Sequence, residues 1–267
     1  MHEDSAEERG LAISVQHIGR VLGPILAAIV ALKFGIQAPY KVTFLLLIIM
    51  SILLYIATKD FKDKEYKHSS FIISIKNIIT RPDLLKPLTS ILLVNIFYAL
   101  MVAFVPIYLA NDIGLGEESL GIIFTIMLTP FIILGFPIGK SIDNGSSGRR
   151  TARFGLIIMT IATLAFPFIH TKSLIIWIIV LFVSRVGSVM LEVAGQGIFF
   201  KNINEEETEL LGIMRDMQPV GYFIASLIAV ITLYFGSLVH IFYVIGTILL
   251  IGIITTHKKQ KYNHENK

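Results

Sequence analysis

The chain has 267 residues, 54% of them hydrophobic and only 16% charged, with a mean hydropathy of +0.74 and a formal net charge of +4. Soluble domains carry about 25% charged residues, so this composition leaves too little polar material to cover a water-facing surface. It excludes a water-soluble domain, and the absence of cysteine excludes disulfides.

The first ten residues, "MHEDSAEERG", are acidic and polar, with neither the basic start nor the short apolar run of a secretory signal. Apolar runs such as "VTFLLLIIMSILLYIA" and "SLIIWIIVLFVS" follow. A hydrocarbon core roughly 30 Å thick takes about 20 helical residues to cross, and only helices satisfy their own backbone in lipid without an edge. Eight hydrophobic helices are predicted, over Leu11–Lys33, Val42–Ala57, Leu88–Leu109, Leu120–Ile138, Phe154–Ile169, Leu174–Ala194, Gly212–Tyr234 and Leu238–Thr255. The fold class is therefore an all-α, multi-pass membrane protein. Eight crossings put both termini on one side. Eighteen of the 23 lysines and arginines fall in the tails and loops of that side, and three, Lys33, Lys41 and Lys172, on the other. By the positive-inside rule, both termini are cytoplasmic. The connection between the second and third helices carries Phe71, Ile72, Ile75, Ile78 and Ile79 at helical spacing, with Lys67, Lys76 and Arg81 off that face. This reads as an amphipathic helix on the inner leaflet, and a loop packed on the bundle is the competing reading.

Two segments echo each other. "EERGLAISVQHIGRVLGPILAAIVALKFG" and "ETELLGIMRDMQPVGYFIASLIAVITLYFG" share an acidic start, a glycine before the helix, early polar residues and a closing Phe-Gly. The pattern suggests two related halves in parallel orientation.

Gly10, Gly19, Gly23 and Pro24 fit the spacing of the fifth-helix motif of the major facilitator superfamily, with Ala27 and Ala28 replacing its last two glycines. "GKSIDNGSSGRR" resembles the cytoplasmic loop motif of that family through Gly139, Asp143, Gly148, Arg149 and Arg150, with a longer spacer. "VPIYLANDIGLGEESLGI" is similar to its segment joining helices seven and eight. The resemblance implies that the eight helices are numbers five to twelve of a twelve-helix carrier, a bundle lacking the first four and thus a partial chain. It implies residues 1–58 as the last two helices of the first half, 59–87 as a cytoplasmic linker with an interfacial helix, 88–257 as the six-helix second half, and 258–267 as a basic tail. The fifth-helix motif implies export by proton antiport.

The polar residues inside the apolar runs carry the chemistry. Arg20 stands near the midplane, and Gln16, Gly19, Arg20 and Gly23 share one sector of about 100° that faces protein or a wet cavity, not lipid. The alternative is a structural arginine that caps carbonyls or pairs with an acid on an absent helix. His17, about 100° away, reads as a packing residue. Gly19, Gly23, Ala27 and Ala28 permit close helix contact, and Pro24 bends the helix. Arg185 lies roughly 18 Å into its helix, with Ser184, Ser188 and Glu192 on or beside its face. The resemblance places this helix and the one bearing Asn95 and Tyr98 along a central cavity. Glu192 reads first as a residue closing the inner gate and second as a proton-carrying carboxyl. Asn95 and Tyr98 read equally as cavity lining or satisfied packing. Asp143, Arg149 and Arg150 read as a cytoplasmic latch, and Arg215, Asp216 and Gln218 as a gate or cap.

"GSSGRR" lacks the Lys-Ser/Thr of a phosphate loop, and no His-Glu-x-x-His or cysteine cluster offers a metal site. The "NGS" at Asn144 reads as a chance match. No enzyme activity, cofactor, metal or nucleic-acid partner is expected. The expected partners are the lipid bilayer, a small-molecule cargo (an organic anion by virtue of the two midplane arginines) and protons, with the missing helices as a possible separate chain. The expected function is secondary transport by alternating access at the inner membrane. A non-transporting fragment or scaffold that needs a partner chain is the alternative.

Overall fold

The computed structural model of the chain describes residues 37–59, 71–144, 146–203 and 207–257, with single residues between 19 and 35. It divides into two units, residues 1–70 and 71–267.

In the first unit the described residues between Gly19 and Phe34 are helical. Gly35 closes this stretch with φ +87° and donates its N–H to the Ala31 carbonyl at 2.9 Å, a left-handed stop that glycine adopts without strain. Helix α1, Ala38–Thr58, starts on a proline in its first turn and has no buried residue. It is apolar on all sides, which in a helix long enough to cross a bilayer means lipid is its solvent. Most of the predicted helix Leu11–Lys33 lies outside the described residues.

The second unit begins with α2, Phe71–Thr80, a short helix rather than a loop. Ser74 and Ile78 turn inward, Ile75 is half-buried, and Lys76, Asn77 and Ile79 are exposed. The predicted apolar stripe is thus split: Ile78 packs inward while Ile79 stays outside. Pro82 opens α3, Pro82–Ile107, which continues through a π-helical turn at Tyr108–Asp112. Pro106 has no N–H to donate, and the helix widens just after it, the Ile113 N–H reaching the Tyr108 carbonyl at 3.1 Å. Helices α4, Glu117–Met127, and α5, Thr129–Asp143, form one span broken at Leu128 by Pro130. Then come α6, Gly148–Ala165, with a 3₁₀ turn at Phe166–Phe168, α7, Leu174–Lys201, α8, Thr208–Phe235, and α9, Leu238–His257.

Six helices among the described residues are long and apolar enough to cross a membrane, and Leu238–Ile253 is a shorter apolar helix. Several extend past their predicted ends. Helix α6 starts six residues before Phe154, and α7 runs seven residues beyond Ala194. Hydropathy marks where the chain leaves lipid, whereas hydrogen bonding carries the helix on into charged residues such as Arg149, Arg150 and Lys201.

The core of the second unit runs along α3, α6, α7 and α9. Backbone meets backbone at the crossing of α6 and α7, where Gly155 and Gly187 face each other. A Cβ added to Gly155 would lie 2.6 Å from the Gly187 carbonyl oxygen, and one on Gly187 2.7 Å from that of Gly155. Small residues let helix backbones meet in lipid, where no hydrophobic drive brings them together. Near the far ends of α3, α6, α7 and α9, Tyr108, Phe166, Trp177 and Phe242 form a buried cluster of edge-to-face rings with centroids 5.0–6.0 Å apart. The Trp177 Nε1–H donates to the Thr171 carbonyl at 2.9 Å, so its one polar atom is satisfied.

Outside, large apolar side chains such as Val102, Ile161, Ile175 and Val230 are 60–68% exposed. Such a surface is untenable in water and ordinary in lipid.

Candidate functional site

Helix α7 carries Arg185, Ser188 and Glu192 at spacings of three and four, which puts them on one face. That face meets α3 at Phe97 and Tyr98. The Arg185 guanidinium carbon sits 5.4 Å from the Phe97 ring centroid and 5.6 Å from that of Tyr98. The Tyr98 hydroxyl donates to Glu192 Oε2 at 2.8 Å, and Gln196 Nε2 donates to Oε1 at 3.4 Å. Tyr98 therefore stands between the two charged residues, its ring beside the cation and its hydroxyl on the anion. Among the described residues Arg185 and Glu192 form no ion pair with each other.

Arg185 is 2% exposed, and its Nε has no hydrogen-bond partner. The hydroxyls nearest in sequence do not serve it. Ser184 donates to the Leu181 carbonyl at 2.7 Å, and Ser188 to the Arg185 carbonyl at 2.9 Å, both within α7. An arginine at a helix centre in lipid costs about 2.5–3.5 kcal/mol on insertion scales. Stacking on aromatic faces recovers about 0.5–2 kcal/mol per contact but leaves the N–H donors unmet. The site thus holds an incompletely compensated cation beside aromatic walls. Phe131 of α5 extends these walls, its ring 5.8 Å from Tyr98. On α8, Tyr222 is within electrostatic range of Arg185, and with Gln218 and Pro219 it borders a shallow, open depression.

The other predicted residues separate. Asn95 donates to the Ile91 carbonyl at 2.8 Å within α3, and its Cβ lies 2.8 Å from where a Gly221 side chain would stand. The asparagine is therefore engaged in the α3–α8 contact. Gln218 borders that depression, while Arg215 and Asp216, two turns into α8, are exposed. Asp143, at the end of α5, pairs with Lys201 at 3.4 Å, and Lys201 also donates to the Ile142 carbonyl at 3.2 Å. Arg149 and Arg150 are exposed and form no ion pair among the described residues. Gly139 lies beside Val193, and Gly148 beside Ile198 and Ile142. The link between the α5 and α7 ends thus runs through Asp143 and Lys201. Gly10, Gln16, His17, Arg20, Pro24 and Ala28 lie outside the described residues. Gly19 and Gly23 are helical, and a Cβ on either meets no described atom of its own unit within 4 Å.

A second polar cluster escaped the sequence reading. Arg81 donates to Glu207 Oε1 at 2.6 Å, to the Asn202 carbonyl at 2.7 Å and to Asp83 Oδ2 at 3.3 Å, and Ser74 donates to Glu209 at 2.9 Å. It clamps α2 and the start of α3 to the turn between α7 and α8. Arg81 was visible only as a basic residue off an apolar stripe, and nothing local pairs it with a glutamate 126 positions away.

The family model described as Major Facilitator Superfamily matches residues 5–116 and 88–265. The chain belongs to the major facilitator superfamily. Members of this family are membrane transporters, and the apolar helices of this chain agree with that class. A search among curated proteins gives no match.

Proposed function

We propose that the chain is a proton-coupled secondary transporter that exports a small organic molecule across the inner membrane by alternating access, with both termini cytoplasmic. The observation that carries this reading is the buried Arg185, uncompensated by any carboxylate among the described residues, with Tyr98 joining its surroundings to Glu192. A passage for cargo needs polar groups at membrane depth, and these lie on the facing helices α3 and α7. Glu192 is the proton-carrying group in this reading. It faces Tyr98 and Gln196, and Arg185 lies about two turns away on the same helix. Protonation removes its charge as acceptor for Tyr98 and frees that phenol to turn toward cargo. The exposed basic residues Lys140, Arg149, Arg150 and Arg215 support a cytoplasmic assignment of that end by the positive-inside rule.

The test is flux in proteoliposomes of the purified chain, with a panel of labelled organic anions, cations and neutral compounds, with and without an imposed pH gradient. Gradient-dependent flux of at least one class, lost in Glu192→Gln, is expected. Flux indifferent to the gradient removes the proton coupling. No flux of any class from folded protein removes the transporter reading and leaves a membrane scaffold.

A further inference from the structure

We infer that the Nε edge of Arg185 is the docking point for a single carboxylate group carried on a flat apolar molecule. This rests on the transporter reading and names the class of its cargo. Three observations fix the class. First, the guanidinium is buried, and its Nε–H points at no acceptor. Guanidinium presents parallel N–H donors whose spacing matches the two oxygens of a carboxylate, and an ammonium group does not. Second, the surroundings are aromatic. Phe97 and Tyr98 flank the cation, Phe131 lies against Tyr98, and Tyr222 of α8 is within electrostatic range of Arg185. Ring faces in a desolvated site favour a flat apolar body over a sugar or a polyol. Third, only one negative charge fits. Arg185 is the one cation in this cluster of described residues, and Glu192, held by Tyr98, already supplies a carboxylate on the far side. A second anionic group on the ligand meets Glu192 without a cation to offset it.

The order of preference follows. A flat monocarboxylate binds best. Its amide keeps the shape but loses the charge-assisted hydrogen bonds, and the corresponding dicarboxylate meets the repulsion of Glu192. Tyr98 sets the depth of the site, since its hydroxyl is tied to Glu192 and its ring forms a wall.

The experiment is equilibrium binding to the purified full chain in nanodiscs, using 2-naphthoate, 2-naphthamide and naphthalene-2,6-dicarboxylate as probes. Naphthoate is expected to bind at least about tenfold more tightly than either analogue, the range expected for hydrogen bonds to a charged group. Arg185→Gln should abolish this preference, and Arg185→Lys should weaken it because the charge remains and the fork is lost. Equal binding of naphthoate and naphthamide, no binding of naphthoate at millimolar concentration, or a preference that survives Arg185→Gln overturns the inference. Where Arg185→Gln fails to fold, the three-probe comparison on the unaltered chain decides alone. The outcome is independent of the flux assay: a chain that moves neutral cargo yet shows no naphthoate preference keeps the transporter reading and loses this ligand class.

Discussion

The contact of Gly155 with Gly187 supplies the most direct test of how the second unit is held together. In Gly155→Ala the new methyl carbon lands 2.6 Å from the Gly187 carbonyl oxygen and 2.9 Å from the Leu191 nitrogen. Both obstacles are backbone atoms, so no rotamer change relieves them. Ordinary contact begins near 3.4 Å, and the helices must part by about 0.8 Å at the crossing. A gap of that size forfeits about a quarter to a half of the dispersion energy of each affected atom pair, which is about 0.1–0.2 kcal/mol at optimum. With some 40 pairs at a helix crossing, the loss is about 1–4 kcal/mol, in line with the 1–3 kcal/mol typical of overpacking. Alanine's better helix propensity returns about 0.5–1 kcal/mol. The net expectation is a destabilisation of about 0–3.5 kcal/mol, centred on about 2 kcal/mol.

The assay is thermal unfolding of the purified protein at a fixed scan rate, with Gly121→Ala as the control. Gly121 lies in α4 and has nothing within 4 Å of an added Cβ. At about 2–4 °C per kcal/mol for a unit of this size, the central value makes Gly155→Ala melt about 4–8 °C below the parent, and Gly121→Ala at or above it. Gly187→Ala should match Gly155→Ala, and the double variant should cost less than the sum, because one separation accommodates both methyl groups. Equal melting of Gly155→Ala and Gly121→Ala would refute the argument.

Two further outcomes follow from packing and charge. Phe242→Ala removes a fully buried ring that touches both Tyr108 and Phe166 and should cost about 3–5 kcal/mol in chemical or thermal unfolding, whereas Phe235→Ala, at a site 82% exposed, should cost far less. Arg81→Gln should lower stability by about 1 kcal/mol or less, because Arg81 and Glu207 remain about a third exposed and are screened by solvent, and the loss should shrink in high salt.

Much of the helical plan is legible in the sequence because the bilayer imposes a length. A run such as Leu174–Ala194 has to be a helix, but the break at Leu128 before Pro130 is not legible, since Pro87, Pro137 and Pro219 stand inside continuous helices. The exact ends are not legible. Arg149, Arg150 and Lys201 end the apolar run without ending the hydrogen bonding, and a hydropathy scan reads only the first of these. Glycine spacing within one helix draws attention to Gly19 and Gly23, yet among the described glycines the closest approach to a neighbouring backbone is between Gly155 and Gly187. That pair obeys no local spacing, since it depends on where two antiparallel helices cross. The same holds for Tyr108, Phe166, Trp177 and Phe242, which are ordinary aromatics in four separate apolar runs until the helix ends converge. Single costly residues announce themselves, as Arg185 does. Partnerships such as Tyr98 with Glu192, or Arg81 with Glu207, require the rotation of each helix about its axis, which no single helix records.

Arg185 also allows the functional and the purely structural accounts to be separated by stability alone. A guanidinium retained only for packing would be optimised in the ligand-free protein, and its removal would be destabilising. An incompletely compensated buried cation has the opposite signature: replacing it with an apolar residue of similar length relieves desolvation that nothing in the fold repays. The insertion cost of about 2.5–3.5 kcal/mol exceeds the stacking return of about 1–2 kcal/mol expected where two rings share one cation. Arg185→Met, which fills a similar volume and keeps a polarisable contact with Phe97 and Tyr98, should therefore leave the ligand-free protein as stable or about 1–2 kcal/mol more stable. In the same samples 2-naphthoate should raise the melting temperature of the parent and not of the variant, since only the parent offers the carboxylate a partner. A variant that melts more than about 2 kcal/mol below the parent would make Arg185 a structural residue and detach it from cargo. A variant as stable as the parent, with the naphthoate response lost, would mean that the guanidinium is kept at a net cost to the fold, as the proposed ligand role requires.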